Sequence, residues 1–246
     1  MFLVGQHKND AINYLVKKEA IAYGDIVIGD FQDTFRNLYK KMLLGIEWPL
    51  NHCPASYILK TDEDCYVNVL LLLEWLISYD LVNGSKPLYA GNVQYNTNVV
   101  RDKGDRYFVS RKLYPYRKYP DYVSGGGYVF SGSLLEKLSR LSQEMPVFPN
   151  EDACLGTFMR RLGIKPKQDN RFLPFIFCDL DAPESTLFER PLCHFLGPIV
   201  IHGVEKISQI HIHYNVMLMA FVPSLCLYME RQPYGKQYSR NCREVP

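Results

Sequence analysis

The first half of the chain alternates short apolar runs with longer segments in which apolar residues recur at helical spacing. The short runs are rich in β-branched and aromatic residues, which favour strands, and the longer segments carry apolar residues three or four positions apart, which predicts helices. The predicted strands are residues 2–5, 25–28, 57–60 and 88–90, and the predicted helices are residues 11–22, 34–44 and 67–78. Strands separated by helices of this length indicate βαβ units, so we expect an α/β fold with a mostly parallel central sheet flanked by helices.

The second half of the chain is less regular. Residues 101–120 are basic, aromatic and rich in turn-forming residues, which predicts an ordered surface loop. The elements predicted beyond it are a strand that opens at 124–127 and continues over 128–131, and helices at 133–142 and 152–162. After Arg171 the pattern predicts only short strands and loops, and the alternation of His211 and His213 predicts a strand. Because no internal repeat is visible, we expect a single domain over residues 1–246.

Composition excludes three classes of protein. The chain has 246 residues, of which 47% are hydrophobic, and this is enough for a core and argues against a mainly disordered chain. The 28 Lys and Arg residues nearly balance the 26 Asp and Glu residues, so no basic field favours nucleic acid as a partner. The longest apolar stretches, residues 67–81 and 216–229, are interrupted and fall short of the ~20 residues that a bilayer span requires.

The seven cysteines give little information about function. They contain no CxxC pair, so a structural zinc site is not expected, and an odd number leaves the redox compartment open. The triplet Asn83-Gly84-Ser85 is either an N-glycosylation site of a secretory-pathway protein or a plain turn.

Three consecutive carboxylates, Asp62, Glu63 and Asp64, follow the predicted strand at 57–60. Ligands of open α/β sheets bind beyond the carboxyl ends of the strands, and clustered carboxylates favour a hard divalent cation such as Mg²⁺ or Mn²⁺. Side chains alternate along an extended segment, so we expect Asp62 and Asp64 to project together and Glu63 to point away. The alternative, which spacing favours equally, is an acidic turn that caps the helix predicted from Val67, with Asp64 near the N-cap.

A second acidic pair, Glu151 and Asp152, precedes the helix predicted at 152–162. Carboxylates stabilise a helix N-terminus, so a capping role explains the pair. The alternative is a catalytic role, because a carboxylate at a helix start beside a glycine-rich strand can act as a general base.

The glycines at 125–127 and His202 are further candidates. The glycines either let a ligand approach the backbone closely or form a bulge or tight bend, and the chain contains no GxxxxGK[ST] or GxGxxG phosphate loop. His202 ends an apolar run at 199–201, so it is a candidate metal ligand, although a lone histidine is more often structural or solvated.

Four segments carry a resemblance to a known family. They are residues 19–45 (EAIAYGDIVIGDFQDTFRNLYKKMLLG), Trp48 with residues 53–68 (CPASYILKTDEDCYVN), residues 119–132 (YPDYVSGGGYVFSG) and residues 151–166 (EDACLGTFMRRLGIKP). In this collinear order, over roughly residues 2–202, the chain resembles the β-1,3-galactosyltransferase and β-1,3-N-acetylglucosaminyltransferase family, glycosyltransferase family 31. The resemblance implies a nucleotide-diphospho-sugar transferase fold of the GT-A type, in Golgi enzymes with a lumenal catalytic domain and an amino-terminal membrane anchor.

The resemblance also implies a donor site. Asp62-Glu63-Asp64 is similar to the family's DxD motif, in which Asp64 would hold Mn²⁺ on the diphosphate and Asp62 would contact the ribose side of the nucleotide. His202 is similar to a histidine that is a possible further metal ligand. Gly125, Gly126 and Gly127 fall where the family's glycine-rich strand lines the donor and acceptor sites.

The implied reaction is transfer of galactose from UDP-galactose to the 3-hydroxyl of an acceptor sugar on a glycoprotein or glycolipid. Asp152 resembles the catalytic base of an inverting transferase, and residues 119–132 look nearer to the galactosyl branch of the family. The alternatives are an N-acetylglucosaminyltransferase and a non-catalytic relative that keeps the fold. Acceptor choice is expected in the loop at 101–120. Its aromatic residues could stack on sugar faces, although packing at the surface explains them equally well: Tyr107, Phe108, Tyr114 and Tyr116.

The chain departs from the family's pattern in three places. Met1 coincides with the second strand of the family fold, so we expect either a partial sequence or a degenerate gene product. The first βα unit, the stem and the membrane anchor are expected only in a longer form. Cys65 stands where phenylalanine is usual, and Val123 stands where several relatives carry cysteine. The missing unit carries part of the uridine pocket and therefore bears on the affinity for the donor.

Overall fold

Helices and strands alternate along the chain in the computed structural model, which describes residues 1–174, 195–204 and 206–221. The strands are β1 (Phe2–Gln6), β2 (Ile26–Gln32), β3 (Tyr57–Thr61), β4 (Cys65–Val67), β5 (Tyr89–Gln94), β6 (Tyr122–Ser131), β7 (Lys167–Gln168), β8 (Phe172–Leu173) and β9 (Val200–His202). The helices are α1 (Asp10–Tyr23), α2 (Leu38–His52), α3 (Val69–Asn83), α4 (Leu135–Glu144), α5 (Glu151–Arg161) and α6 (Lys206–Phe221). This arrangement confirms a mixed α/β fold.

The strands of the described residues form three sheets, with the orders β1-β2, β3-β6-β5-β7 and β4-β9-β8. The β1-β2 and β8-β9 pairs are parallel, and the β4-β9 pair is antiparallel. The chain divides into two compact units. The first comprises Met1–Ile58, Pro87–Val123 and Val129–Lys167, and the second comprises Leu59–Lys86, Ser124–Tyr128 and the residues from Gln168 onwards.

The first unit begins with the βαβ segment that the apolar pattern predicts. Asn9 caps α1 through its side chain, and Gly24 ends the helix in the left-handed conformation at φ 67°. Helix α2 runs eight residues beyond its predicted end at residue 44 because Ile46, four positions after Met42, continues the buried face. Gly45 lies inside this helix and leaves room for Leu3, whose Cδ1 would lie 3.0 Å from a Cβ at Gly45.

The loop at 101–120 is organised around one arginine. The guanidinium of Arg101 donates to the carbonyl oxygens of Val109 at 2.6 Å, Tyr114 at 2.7 Å and Tyr116 at 2.6 Å. Tyr114 is only 8% exposed, so the prediction that it could stack on a sugar is wrong. Its ring packs in the core against Phe148, with the ring centres 5.2 Å apart.

The second unit contains the helix that the sequence pattern failed to predict. The segment with His211 and His213 is not a strand but lies in α6. Ile212 and Val216 are four positions apart and both are buried, which is a helical period that the two-residue spacing of the histidines obscured. They pack in a core cluster that also contains Tyr66, Phe195, Ile201 and Val204. Among the described residues, none of the helices is both long and apolar enough to cross a membrane.

Candidate active site

The acidic turn, which we define as residues 62–64, follows β3 and does not cap a helix. Helix α3 begins at Val69, and its N-cap is Asn68, whose Oδ1 accepts a hydrogen bond from the Leu71 amide at 3.2 Å. The capping alternative for Asp64 is therefore wrong. The backbone of the turn is held elsewhere, since the carbonyl of Asp64 accepts from the Val204 amide at 2.7 Å and that of Glu63 accepts from Gln209 Nε2 at 3.0 Å.

His202 lies against both aspartates of the acidic turn. It ends β9, where it pairs with Cys65 of β4, and its Nε2 lies 3.4 Å from Asp64 Oδ1 and 3.7 Å from Asp62 Oδ2. Glu63 is exposed, and the direction of its side chain away from this group stays a prediction. The other ring nitrogen, Nδ1, lies 2.5 Å from the carbonyl oxygen of Pro174. Because a carbonyl oxygen can only accept, Nδ1 carries the proton and Nε2 faces the carboxylates.

These donor atoms fit a hard divalent cation. Ligand atoms of Asp64, Cys65 and His202 all lie within 4.8 Å of one another. Carboxylate oxygen and imidazole nitrogen are ligands that suit Mn²⁺, whereas a thiolate suits softer metals. Burial above all raises the pKa of the Cys65 thiol to about 12, and its Sγ donates to the Gly126 carbonyl at 2.7 Å. The thiol already has a hydrogen-bond partner in the fold, and the ligand atoms that suit a hard cation are the carboxylate oxygens and the imidazole nitrogen.

Lys60 is a member of this site that the sequence analysis missed. Its Nζ lies 2.7 Å from Asp62 Oδ1 and 2.6 Å from the carbonyl oxygen of Gly125, and it lies 5.7 Å from the centre of the Tyr128 ring. The available signal was spacing: Lys60 and Asp62 are two positions apart at the end of a strand, so their side chains leave the same face. Part of the negative charge of the turn is thus neutralised by the protein itself.

The glycine strand, residues 125–127 within β6, is crowded by β9. A Cβ at Gly126 would lie 2.7 Å from Cγ of His202, and a Cβ at Gly127 would lie 2.6 Å from Cγ1 of Val200. These two glycines therefore allow another strand of the same unit, β9, to pack closely on their backbone. Gly125 differs, since its carbonyl oxygen is the one that accepts from Lys60.

The acidic pair Glu151 and Asp152 occupies the first turn of α5, in the first unit. The N-cap is Asn150, whose Oδ1 accepts from the Ala153 amide at 3.4 Å, so neither carboxylate is the cap. Both are placed where a helix N-terminus favours negative charge. Asp152 is half-buried, with Oδ1 shielded from solvent. Its role as a base stays a prediction.

Comparison with known proteins agrees with the resemblance of the four segments. The galactosyltransferase family model matches residues 1–170. Beta-1,3-galactosyltransferase 5 of Homo sapiens is 34% identical over 199 residues, which are 80% of this chain and 63% of the relative. Beta-1,3-galactosyltransferase 1 of Mus musculus is 34% identical over 220 residues, which are 88% of this chain and 63% of the relative. The chain thus spans less than two thirds of the length of these relatives. Because the family model covers more than half of its residues, the chain belongs to the galactosyltransferase family.

Proposed function

We propose that the protein is a β-1,3-galactosyltransferase that moves galactose from UDP-galactose to the 3-hydroxyl of an acceptor sugar on a glycoprotein or glycolipid. The observation that carries this proposal is the approach of Asp62 and Asp64 to His202, three residues contributed by two distant parts of the chain. The names of the relatives favour galactose over N-acetylglucosamine as the transferred sugar.

The acidic turn and His202 form the donor end of the proposed site. Asp64 and His202 would hold Mn²⁺, and Asp62 would contact the ribose side of the nucleotide. Bound Mn²⁺ supplies Lewis-acid stabilisation of the negative charge on the departing diphosphate. The contribution of the protein is a fixed ligand set, because the Pro174 carbonyl fixes the proton on Nδ1 of His202 and so leaves Nε2 directed at the carboxylates. Gly125, Gly126 and Gly127 would line the donor and acceptor sites beside it.

Asp152 is the proposed base. Its carboxylate would take the proton of the acceptor hydroxyl while the anomeric carbon passes through an oxocarbenium-like state. A single base on the face opposite the departing diphosphate gives inversion, so an α-linked donor yields a β-1,3 bond. Asp152 lies in the first turn of α5, where the helix N-terminus favours negative charge.

The fold type and the location follow from the same family resemblance. We infer a single catalytic domain of the GT-A type, in the lumen of the Golgi, with a membrane anchor in a longer form. The triplet Asn83-Gly84-Ser85 agrees with this location, because it lies at the end of α3 with Gly84 and Ser85 exposed. Microscopy of a tagged full-length product, with protease protection of the tag, tests the location; a cytosolic product contradicts it.

A transfer assay tests the proposed reaction. The chain, supplied with Mn²⁺ and an acceptor panel, is expected to transfer sugar from UDP-galactose in preference to UDP-N-acetylglucosamine, and chelation of the metal should abolish transfer. Asp64→Asn should lower the rate by roughly 10³-fold, because several kcal/mol of charge stabilisation are lost. Glu74→Gln, an exposed change on α3 in the same unit, is the matched control and should leave the rate unchanged. Metal-dependent UDP binding without transfer to any acceptor would favour a non-catalytic relative.

A further inference from the structure

Lys60 is held beside the acidic turn by three groups of the second unit. Its ammonium contacts a carboxylate oxygen of Asp62 and the carbonyl oxygen of Gly125, and it lies over the ring of Tyr128, which is 1% exposed. The Lys60 side chain is 25% exposed, against 41% for Asp62. An isolated, exposed ion pair would contribute little to stability. A cation that is shielded from solvent and has several partners is held in a fixed position.

This position changes the charge that an incoming ligand meets. Asp62 and Asp64 contribute two negative charges, and Lys60 neutralises one of them at a contact of 2.7 Å. A divalent cation alone therefore meets a weaker attraction than two carboxylates would give. Once the cation is bound, the same lysine leaves a net positive charge, which attracts a diphosphate more strongly than a neutral site would.

We propose that Lys60 couples the two binding events: it weakens the binding of the divalent cation alone and strengthens the binding of the nucleoside diphosphate to the cation-loaded site. The inference rests on the proposed function, since it takes the acidic turn and His202 as the donor site. Lys60 then acts through its charge. The cation binds most tightly when it enters the site together with the diphosphate. Coupling between two binding sites is reciprocal. The bound diphosphate therefore raises the affinity for the cation by the same factor by which the bound cation raises the affinity for the diphosphate.

A purely structural role for Lys60 makes a different prediction. Because Lys60 contacts Asp62 Oδ1, it also leaves Oδ2 directed at His202, 3.7 Å away. If this orientation were its whole contribution, loss of the ammonium would weaken the binding of the cation and of the diphosphate alike. Opposite changes in the two affinities therefore separate coupling by charge from simple positioning.

Two titrations on Lys60→Met measure the coupling. Mn²⁺ binding alone is followed by electron paramagnetic resonance, and UDP binding at saturating Mn²⁺ by calorimetry. Relative to the unmodified chain, we expect Mn²⁺ alone to bind about fivefold to tenfold more tightly and UDP to bind about tenfold more weakly. Methionine suits the site sterically, since its thioether can pack on the Tyr128 ring. Lys60→Gln, which keeps a hydrogen-bond donor without the charge, should change both affinities in the same directions.

Two further variants serve as controls. Lys60→Arg keeps the positive charge, so it should not produce the opposite changes of the two affinities that are expected for Lys60→Met. Lys41→Met removes a comparable ion pair in the first unit, with Asp33 at 2.9 Å and 27% exposure of the lysine, and should leave both affinities unchanged.

The outcomes are distinct. Weaker binding of both ligands to Lys60→Met and Lys60→Gln, or no change in either affinity, would overturn the coupling while leaving the proposed function intact. Failure of the unmodified chain to bind Mn²⁺ and UDP at all would overturn the proposed function and the coupling with it.

Discussion

The acidic turn at 62–64 and the acidic pair at 151–152 look alike in the sequence, since each precedes a predicted helix. The structure separates them by what surrounds each cluster. The acidic turn lies clear of α3, which Asn68 caps, and its aspartates contact Lys60 on one side and His202 on the other. No helix terminus accounts for these contacts, which supports the donor site that we propose at the turn.

The acidic pair has a sufficient local explanation. Glu151 and Asp152 are the first two residues of α5, directly after the cap Asn150, where carboxylates stabilise any helix. A catalytic role for Asp152 is additional to that local role and rests on the family resemblance. Acidic residues therefore indicate a site when groups distant in the sequence converge on them. They indicate little when the start of a helix explains their position.

Asp152→Asn tests the weaker half of this comparison and should have the largest effect. Removal of the base should lower the rate of galactose transfer by roughly 10³-fold while the affinity for Mn²⁺ and UDP stays unchanged. Steady-state rates together with UDP titration calorimetry check both parts.

Glu151→Gln is the matched control, because it removes the same charge from the same helix turn. Its rate should fall by no more than about twofold, since the residue has no proposed role in the chemistry. Equal rates for the two variants would reduce the acidic pair to a feature of the helix start.

His202→Gln tests the stronger half of the comparison. Loss of the imidazole should weaken Mn²⁺ binding about 10-fold to 100-fold, because a nitrogen ligand with a fixed second hydrogen bond is lost. Paramagnetic resonance titration measures this directly. His213→Gln, an exposed change on α6, is the control, and an equal affinity of the two variants for Mn²⁺ would remove His202 from the site.

Gly127→Ala tests whether close packing of β9 on the glycine strand positions His202 at the acidic turn. The new Cβ would lie 2.6 Å from Cγ1 of Val200 and would push β9 away, so we expect a loss of about 1–3 kcal/mol in the free energy of unfolding. Urea denaturation measures this loss. Gly197→Ala, at a position where a Cβ meets nothing within 4 Å, should be neutral, and equal stability of the two variants would contradict the close approach.

Asn68→Ala has the smallest expected effect and separates capping from cation binding. Loss of the side-chain cap of α3 should lower stability by about 1 kcal/mol without changing Mn²⁺ affinity. Asp64→Asn should do the opposite, with unchanged stability and weaker Mn²⁺ binding. Thermal unfolding paired with the Mn²⁺ titration checks both, and a stability loss in Asp64→Asn as large as that in Asn68→Ala would restore a capping role for Asp64.

Local patterns in the sequence predicted the elements whose periodicity is strong. Helix α1 was predicted at residues 11–22 and is found at Asp10–Tyr23, because its apolar spacing and its terminating glycine agree. Helix α6 was missed because two histidines at alternate positions outweighed the four-residue spacing of Ile212 and Val216. When a short segment shows both a two-residue and a four-residue spacing, the sequence alone does not show which set of side chains is buried.

The candidate site was predictable in part. The alternation of Asp62 and Asp64 followed from strand geometry, whereas the approach of His202 depends on the pairing of β4 with β9, which joins distant parts of the chain. No spacing rule predicts that pairing. The sequence indicated His202 only as a residue that ends an apolar run, and the family resemblance added its place beside the aspartates. Lys60 was not predicted, although its alternation with Asp62 is local, because a cluster of carboxylates is balanced equally well by a bound cation and by a neighbouring lysine.

The claim that the acidic turn and His202 form the donor site is tested most directly by the affinity for Mn²⁺ in the presence of UDP. Electron paramagnetic resonance measures this affinity for the unmodified chain and for Asp64→Asn. We predict that the unmodified chain binds one Mn²⁺ together with UDP and that Asp64→Asn loses at least tenfold in Mn²⁺ affinity, because a charged oxygen ligand becomes neutral. Equal affinities of the two proteins would show that the aspartates around His202 do not form the donor site.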